Sequence, residues 1–236
     1  MSGAVEVVQP ILCFEGVRRV YGEGPKAVRA LGPVDVEVTR GEFVAIMGPS
    51  GSGKSTMLSL AGALDRPTSG RVRLDGRDLA DFDGAALAAL RRRSIGYVFQ
   101  DLNLLPGLTA VENVALPLEL DGVALAEARQ TALEELDHVG LRQLAARFPD
   151  DLSGGEQQRV AVARAFVGPR AMLLADEPTG ALDSVTGERI MRLLREQCAR
   201  GRTVVLVTHD AAHAAWADRV LYLRDGEVVE ETVAAS

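Results

Sequence analysis

The chain has 236 residues, of which 47% are hydrophobic and 25% are charged, and its formal net charge is −7. This length allows a substantial core, and the negative charge argues against a protein that grips nucleic acid through a generally basic surface. Cys13 and Cys198 lack metal-ligand spacing, so we expect reduced thiols rather than a metal site or a disulfide framework.

The sequence predicts neither a secretory signal nor a membrane span. Met1 to Glu6 lacks the basic and apolar regions of a signal peptide. No apolar run approaches the roughly 20 residues that cross a bilayer. We therefore expect a cytoplasmic protein, and any membrane spans would belong to another chain.

The N-terminal third is predicted to contain antiparallel strands. Residues Ile11–Tyr21 alternate loosely between glycine-bounded ends, which indicates an edge strand that ends in a turn. Val34–Val38 alternates strictly, as a half-buried strand does. Arg71–Leu74 and the Asp-Gly pair after it indicate one strand of a hairpin.

A glycine-rich loop, Gly48–Ser55, organises the chain. It has the pattern GxxxxGKS, follows the apolar run Phe43–Met47 and precedes a predicted helix that begins at Thr56. Strand, loop and helix in this order form a phosphate-binding loop, because the glycines let several amides point at one anion beside a helix N-terminus. The alternative is a glycine-rich surface turn. The predicted nucleotide contacts of this loop are Gly48, Pro49, Ser50, Gly51, Ser52, Gly53, Lys54, Ser55 and Thr56.

The chemistry of this loop predicts a nucleoside triphosphate site. Lys54 would reach the β- and γ-phosphates, and the Ser55 hydroxyl would bind Mg²⁺.

The middle of the chain is predicted to be mostly helical. Ala85–Arg93 is a helix, Ile95–Phe99 is a short strand that ends at Gln100, and Val123–Gly140 is a helix with an apolar stripe. Between them, residues 102–120 are predicted to be a loop and a short helix with partly exposed apolar groups.

An apolar cluster lies in that loop. It comprises Leu102, Leu104, Leu105 and Leu108, around Pro106 and Gly107. The cluster is more apolar than a free loop, which favours a docking surface for another protein. Local packing under the helical segment is the alternative.

A second predicted anion site begins at Ser153. This residue is a good N-cap, and Gly154 and Gly155 open a helix that runs through Ala165. Such a segment alone usually forms only a cap. One phosphate-binding loop does not need a second phosphate cradle of its own, so the segment calls for a further explanation.

The last third alternates strands and helices. Ala171–Ala175 and Thr203–Val207 are uniformly apolar, which is typical of a parallel sheet that is covered on both faces. Gly187–Arg200 is a predicted helix between them, and Val220–Leu223 with Val228–Val229 is a terminal hairpin.

Two carboxylates follow the first of these buried strands. Asp176 is placed to hold Mg²⁺ directly or through water, and Glu177 to polarise an attacking water. A salt-bridged pair at a strand end is the alternative.

Together these patterns resemble the ATP-binding-cassette (ABC) ATPases over nearly the whole chain. The resemblance implies an α/β P-loop NTPase core of RecA type with an antiparallel β subdomain and an inserted α-helical subdomain. We expect one domain over 1–236, with the core and β subdomain in 1–94 and 166–236 and the helical insertion in 95–165.

The resemblance also implies roles for single residues. Gly48–Ser55 corresponds to the family's Walker loop, and Asp176 with Glu177 to the Walker B end. Tyr21 would stack on adenine, and Gln100 would take part in catalysis and hold Mg²⁺ together with Asp176. Ser153, Gly154, Gly155 and Glu156 match the family's signature and are hereafter the signature segment. Ala181-Leu182-Asp183 resembles the D-loop, and His209 the switch histidine that contacts the γ-phosphate.

Four stretches resemble one subgroup, which serves lipoprotein release, macrolide export and cell division. They are Ile95–Gln100, Asn103–Pro106, Leu108–Val114 and Ala175–Gly180. The chain departs from that subgroup at Ala181, where Asn is usual, and at Gly32–Asp35, which is an unusual entry to the core.

The family resemblance implies ATP and Mg²⁺ as cofactors and a head-to-tail homodimer with ATP between the Walker loop of one copy and the signature segment of the other. It implies a transmembrane permease partner at Gln100–Leu120, a place on the cytoplasmic face of the membrane, and no nucleic acid partner.

Three other hypotheses for the function fit part of this pattern. They are a soluble or cell-division-type ABC ATPase that moves no solute, an ABC protein that acts on DNA or ribosomes, and a P-loop kinase or GTPase outside this family. DNA-repair members carry a long coiled coil between the Walker loop and the signature segment, and this chain has no heptads there. Translation-type members carry two cassettes, and this chain has one. A kinase or GTPase outside the family would leave Ser153 to Arg159 unexplained.

Overall fold

The computed structural model describes residues 10–180 and 182–233. The strands are β1 Pro10–Tyr21, β2 Val28–Thr39, β3 Phe43–Met47, β4 Ser69–Leu74, β5 Arg77–Asp78, β6 Ile95–Val98, β7 Met172–Asp176, β8 Thr203–Val207, β9 Arg219–Arg224 and β10 Glu227–Val233. The α-helices are α1 Lys54–Ala61, α2 Gly84–Ser94, α3 Ala110–Glu119, α4 Leu125–His138, α5 Gly154–Phe166, α6 Ser184–Ala199 and α7 Ala211–Ala214. The expectations for Met1 to Glu6 and for Ala181 fall outside the described residues and stay predictions.

The strands form two sheets. The antiparallel sheet has the order β2-β1-β4-β5, and the larger sheet has the order β10-β9-β3-β8-β7-β6. Strands β9, β3, β8, β7 and β6 run parallel, and β10 pairs antiparallel with β9. The predicted α/β architecture with an antiparallel β layer is confirmed.

The predicted edge position of β1 is wrong. It pairs with β2 on one side and with β4 on the other, so it lies inside the antiparallel sheet. Strand β1 ends at Tyr21 and β4 begins at Ser69, 48 residues later in the chain. Such a long-range pairing leaves no local trace, because alternation reports which face of a strand is buried and not how many neighbours the strand has.

The parallel sheet is buried on both faces, which explains its uniformly apolar strands. Along β3, the side chains of Phe43, Ala45 and Met47 belong to the core under the helices. Val44 and Ile46 belong to the core that faces the antiparallel sheet, α1 and α2. The strand therefore holds the loop that follows it from two sides.

Helices α3, α4 and α5 pack against one another beside this sheet. The predicted helix 123–140 is confirmed as α4 with shorter ends, and its stripe of Ala128, Ala132 and Leu136 is buried. The last strand-linking helix begins at Ser184, three residues before the predicted Gly187, because the Asp183 side chain accepts a hydrogen bond from the Thr186 amide and caps it. None of the helices in the described residues is both long and apolar enough to cross a membrane.

Candidate nucleotide-binding site

The Walker loop is held in a conformation that only glycine permits at two positions. Gly48 has a φ of 148° and Gly53 a φ of 104°. A Cβ atom on Gly48 would collide with the Leu223 carbonyl oxygen, and one on Gly53 with the Ala30 carbonyl oxygen. The loop is thus pressed against the neighbouring β9 and β2, and its turn is fixed by packing from outside.

The interior of the loop offers unused hydrogen-bond donors. The backbone amides of Gly53, Lys54 and Ser55, at the start of α1, have no acceptor among the described residues. The buried Ser52 Oγ has no partner among them either. Lys54 Nζ donates to the carbonyls of Gly48 at 2.8 Å and Pro49 at 2.9 Å. Unpaired amides around a lysine ammonium are the arrangement that binds a phosphate group.

Asp176 ends β7 close to this loop. The Ser55 hydroxyl donates to Asp176 Oδ1 over 3.5 Å. Burial raises the pKa of Asp176, the neighbouring Glu177 adds to the rise, and the Ser55 hydrogen bond and Lys54 oppose it. A carboxylate whose charge is this poorly compensated gains from a nearby cation.

The oxygens of Ser55 and Asp176 fit Mg²⁺, which prefers hard oxygen ligands and uses one or two protein groups together with phosphates and water. Within the described residues, no cluster of three or more His, Cys, Asp or Glu side chains could hold a metal on its own. This is the donor set expected where a nucleotide completes the coordination.

Glu177 and His209 meet at the ends of adjacent strands. Glu177 follows β7 in a left-handed conformation with φ 46°, and its amide donates to the Val207 carbonyl in β8. Its Oε1 lies 2.8 Å from Nδ1 of His209. The carboxylate side chain is 16% exposed and the imidazole 74% exposed. Hydrogen bonding to Glu177, and then its charge, raise the pKa of His209.

Tyr21 lies at the carboxyl end of β1 and is 41% exposed. Its hydroxyl donates to Asp65 Oδ2 at 2.8 Å, and the Arg19 guanidinium lies 4.4 Å from the ring centroid. Arg19 also pairs with Asp65 at 2.8 Å. The ring is therefore anchored at its edge and covered by a cation on one face, so a stacked base would use the other face.

The signature segment lies at the start of α5, whereas the Walker loop lies between β3 and α1. Ser153 caps α5 in a capping box: its amide and hydroxyl each donate to Glu156 Oε2 at 2.8 Å, and its Oγ accepts from the Glu156 amide at 3.4 Å. These bonds lower the pKa of Glu156. The amides of Gly154 and Gly155 make no hydrogen bond found among the described residues, and none joins this segment to the Walker loop. These two amides could therefore donate hydrogen bonds to a ligand.

The structure brings together most predicted residues of the Walker side. Ser55 contacts Asp176, and Glu177 contacts His209. Gln100 is exposed just after β6, and no side-chain hydrogen bond from it was found in the described ranges. The contacts of Arg19 and Asp65 with Tyr21 were not predicted, because Asp65 lies 44 residues away and no local pattern marks it.

Comparisons with known proteins agree with this site. Residues 31–180 match the family described as ABC transporter. The chain is 48% identical over 223 residues to the macrolide export ATP-binding/permease protein MacB of Hyphomonas neptunium, covering 94% of this chain and 35% of that protein. It is 47% identical to the ABC transporter ATP-binding protein YknY of Bacillus subtilis, covering 92% and 94%. The chain thus spans about a third of the length of its macrolide-export relatives.

A solved structure is similar over nearly its whole length. It is the ATP-binding cassette MJ0796, a dimer in a post-hydrolysis state bound to ADP and Pi, with 46% sequence identity and a TM-score of 0.90. The match covers 95% of this chain and 99% of that one.

Proposed function

This chain belongs to the ABC transporter family of ATP-hydrolysing domains, and we propose that it is the ATP-binding and hydrolysing subunit of a membrane complex. ATP-driven dimerisation would power export, lipoprotein extraction or mechanical signalling across the membrane. The observation that carries the proposal is the Glu177–His209 contact beside a phosphate loop with unpaired amides. The cell-division-type ATPase that moves no solute is the alternative.

The Walker side supplies the groups for hydrolysis. The loop amides and Lys54 would hold the β- and γ-phosphates, and Ser55, Gln100 and Asp176 would hold Mg²⁺, which supplies charge neutralisation on the phosphate oxygens. Glu177 would accept a proton from water as the water oxygen bonds to the γ-phosphorus. The bond from that phosphorus to the bridging oxygen then breaks, and ADP leaves with the electron pair.

His209 is placed to assist this step. Its Nδ1 holds Glu177 at 2.8 Å, and its exposed ring leaves Nε2 for the γ-phosphate. Tyr21 would stack on the adenine ring at the other end of the nucleotide.

The second copy would complete the site. The amides of Gly154 and Gly155, for which no acceptor occurs among the described residues, and the N-cap Ser153 would fit the γ-phosphate of a nucleotide that another molecule holds. A head-to-tail homodimer would bring them to both nucleotides. The dimeric state of the similar cassette supports this arrangement.

The Glu177→Gln variant tests the proposed function. The amide keeps the size of the side chain and still accepts a hydrogen bond from His209, but it is no base. We expect ATPase turnover to fall by about 10²- to 10⁴-fold, with ATP binding kept. ATP should then trap a dimer that elutes early in size-exclusion chromatography. Turnover near that of the wild type would show that Glu177 has only a structural part.

A groove beside the segment Gln100–Leu120 is the proposed docking site of the membrane partner. It has a volume of about 360 Å³ and is lined by apolar residues and arginines. Tyr97 and Phe99 stack at 4.0 Å on its floor. Leu105 is 45% exposed at its rim and Leu120 62%. An apolar cytoplasmic segment of a permease fits such a surface.

The loop that borders this groove is rigidly built. The buried Asn113 side chain accepts from the Leu105 amide and donates to the carbonyls of Leu105, Leu108 and Thr109. The Arg164 guanidinium, on the signature helix α5, donates to the Leu102 and Asn103 carbonyls at 2.5 Å each. A displacement of this loop would therefore be transmitted through Arg164 to α5, the helix that begins with the signature segment.

Of the four leucines in the predicted docking loop, Leu105 is exposed, but Leu104 packs partly buried against the helical core. The local-packing interpretation therefore holds for Leu104. A docking test must use Leu105.

We expect Leu105→Glu to keep the basal ATPase rate of the isolated chain and to abolish stimulation by the membrane subunit that copurifies with the wild-type chain. The matched control is Leu125→Glu, on α4 outside the groove, where Leu125 is 67% exposed. Equal loss of stimulation in both variants would refute the groove as the docking site. Insolubility of Leu105→Glu would show that Leu105 is needed for folding rather than for docking. Binding to that subunit would also test the proposed cytoplasmic, membrane-peripheral location.

A further inference from the structure

A second contact joins the two segments that carry Glu177 and His209. Thr179 Oγ1 lies 3.0 Å from Nδ1 of His213. Thr179 is two residues beyond Glu177, after β7, and His213 is four residues beyond His209, in α7 after β8. The Glu177–His209 and Thr179–His213 contacts therefore both join the segment after β7 to the segment after β8.

The His213 contact is built into the fold. Its side chain is 19% exposed, and Thr179 is 7% exposed. Asp210 Oδ2 lies 3.4 Å from the same His213 nitrogen. The buried Gly187 of α6 packs against both partners, since a Cβ atom there would lie 3.6 Å from His213 Nε2 and 3.6 Å from the Thr179 side chain.

His209 itself is held by little else. Its ring is 74% exposed, so packing does not fix its position. The helix that follows it, α7, has four residues, which is too short to be stable by its own hydrogen bonds. The partly buried His213 side chain links this helix to the Glu177 segment through its contact with Thr179.

We propose that His213 is a positioning residue for hydrolysis, which sets the separation of Glu177 and His209 through its contact with Thr179. This inference rests on the proposed ATPase function. The contact keeps both segments in register while His209 reaches the γ-phosphate. Loss of the contact would leave nucleotide binding intact, because the Walker loop lies on a different segment.

The test is steady-state ATPase kinetics of His213→Ala, Thr179→Val and the double variant. We expect each single change to lower kcat about tenfold, within the range that misplaced reacting groups cost, with the KM for ATP unchanged. The double variant should be no slower than either single one, because both remove the same contact. His213→Asn, which keeps a polar atom near Nδ1, should restore part of kcat. His138→Ala, which removes an exposed histidine of α4, is the matched control and should match the wild type.

A His209→Ala background separates positioning from general stability. There, His213→Ala should lower the unfolding midpoint but not kcat, since the residue that it positions is gone. A further fall of kcat in that background, additive single effects, or an unchanged kcat in His213→Ala would overturn the inference. A wild-type chain without ATPase activity would instead refute the proposed function.

Discussion

The Walker side and the signature side of the nucleotide site differ in how the chain treats their polar groups. On the Walker side, Ser55 meets Asp176 and Glu177 meets His209, so the reacting groups already contact one another. On the signature side, Ser153 and Glu156 hydrogen-bond to each other, and the glycine amides between them have no acceptor in the described part of the chain. We propose that the Walker side is an assembled half-site and that the start of α5 binds a ligand that another copy supplies.

This difference bears on the prediction that one chain carries two phosphate-binding segments. A self-contained site would place the second cradle near the first, and the described residues show no hydrogen bond between them. We propose that the signature segment binds the nucleotide that another copy of the chain holds. The comparison therefore predicts sites that are shared between copies.

The strongest way to break this comparison is to mix two inactive variants. Lys54→Ala removes the phosphate lysine, and Ser153→Arg fills the signature segment. If sites are shared, the mixed dimer collects both lesions in one site and keeps one intact site, so ATPase activity should return from near zero to as much as about half of the wild-type rate. The measurement is the rate of each variant alone and mixed, with differently tagged chains to confirm heterodimers.

A second heterodimer controls for a strict requirement for two working sites. Wild type paired with the Lys54→Ala, Ser153→Arg double variant carries one lesion in each shared site. It should be nearly inactive, whereas self-contained sites would leave about half of the activity. Activity at that level, together with no rescue in the first mixture, would refute the shared arrangement.

A smaller effect sharpens the same contrast through two carboxylates. Burial raises the pKa of Asp176, so its charge costs stability above that pKa in the nucleotide-free chain; capping bonds lower the pKa of Glu156, so its charge adds stability above its unfolded pKa. Asp176→Asn should increase the free energy of unfolding by about 0.5–2 kcal/mol, the usual range of one stabilising change. Glu156→Ala should decrease it by about 1 kcal/mol or less, as loss of an exposed cap does.

Chemical denaturation near neutral pH measures both values. Changes of the same sign would remove the distinction between a carboxylate whose burial costs stability and one whose capping bonds add stability.

The parts of this site that the sequence predicts are those set by neighbouring residues. The glycines and Lys54 of the Walker loop lie within eight residues, and the strand before them is apolar on both faces. The Ser153 cap and its Glu156 partner are three residues apart and were predictable for the same reason. In these places, backbone geometry and local hydrogen bonds decide the structure.

Contacts between distant segments left no such signal. The Thr179–His213 contact spans 34 residues and the Tyr21–Asp65 contact 44. Leu104 and Leu105 are adjacent leucines, yet one packs into the core and the other lies on the surface. The two leucines have the same residue type and neighbouring positions, so only the packing of complete helices and strands decides which one is buried.

The smallest effect concerns how far the Walker side is assembled before nucleotide binds. The contact with Glu177 raises the pKa of His209 above its unfolded value of about 6.5. The pair therefore contributes stability in full below about pH 6.5 and loses it as pH rises through the raised pKa. Because the imidazole is 74% exposed, the ion pair is screened, and we expect it to add only about a few tenths of a kcal/mol to the free energy of unfolding at low salt.

The unfolding midpoint of the wild type should exceed that of His209→Gln at about pH 6. This difference should vanish at alkaline pH, in high salt, or when Glu177 is replaced by Gln in both chains. A difference that is independent of pH would show that the contact holds by packing and neutral hydrogen bonding, and the Walker side would then be assembled without charge.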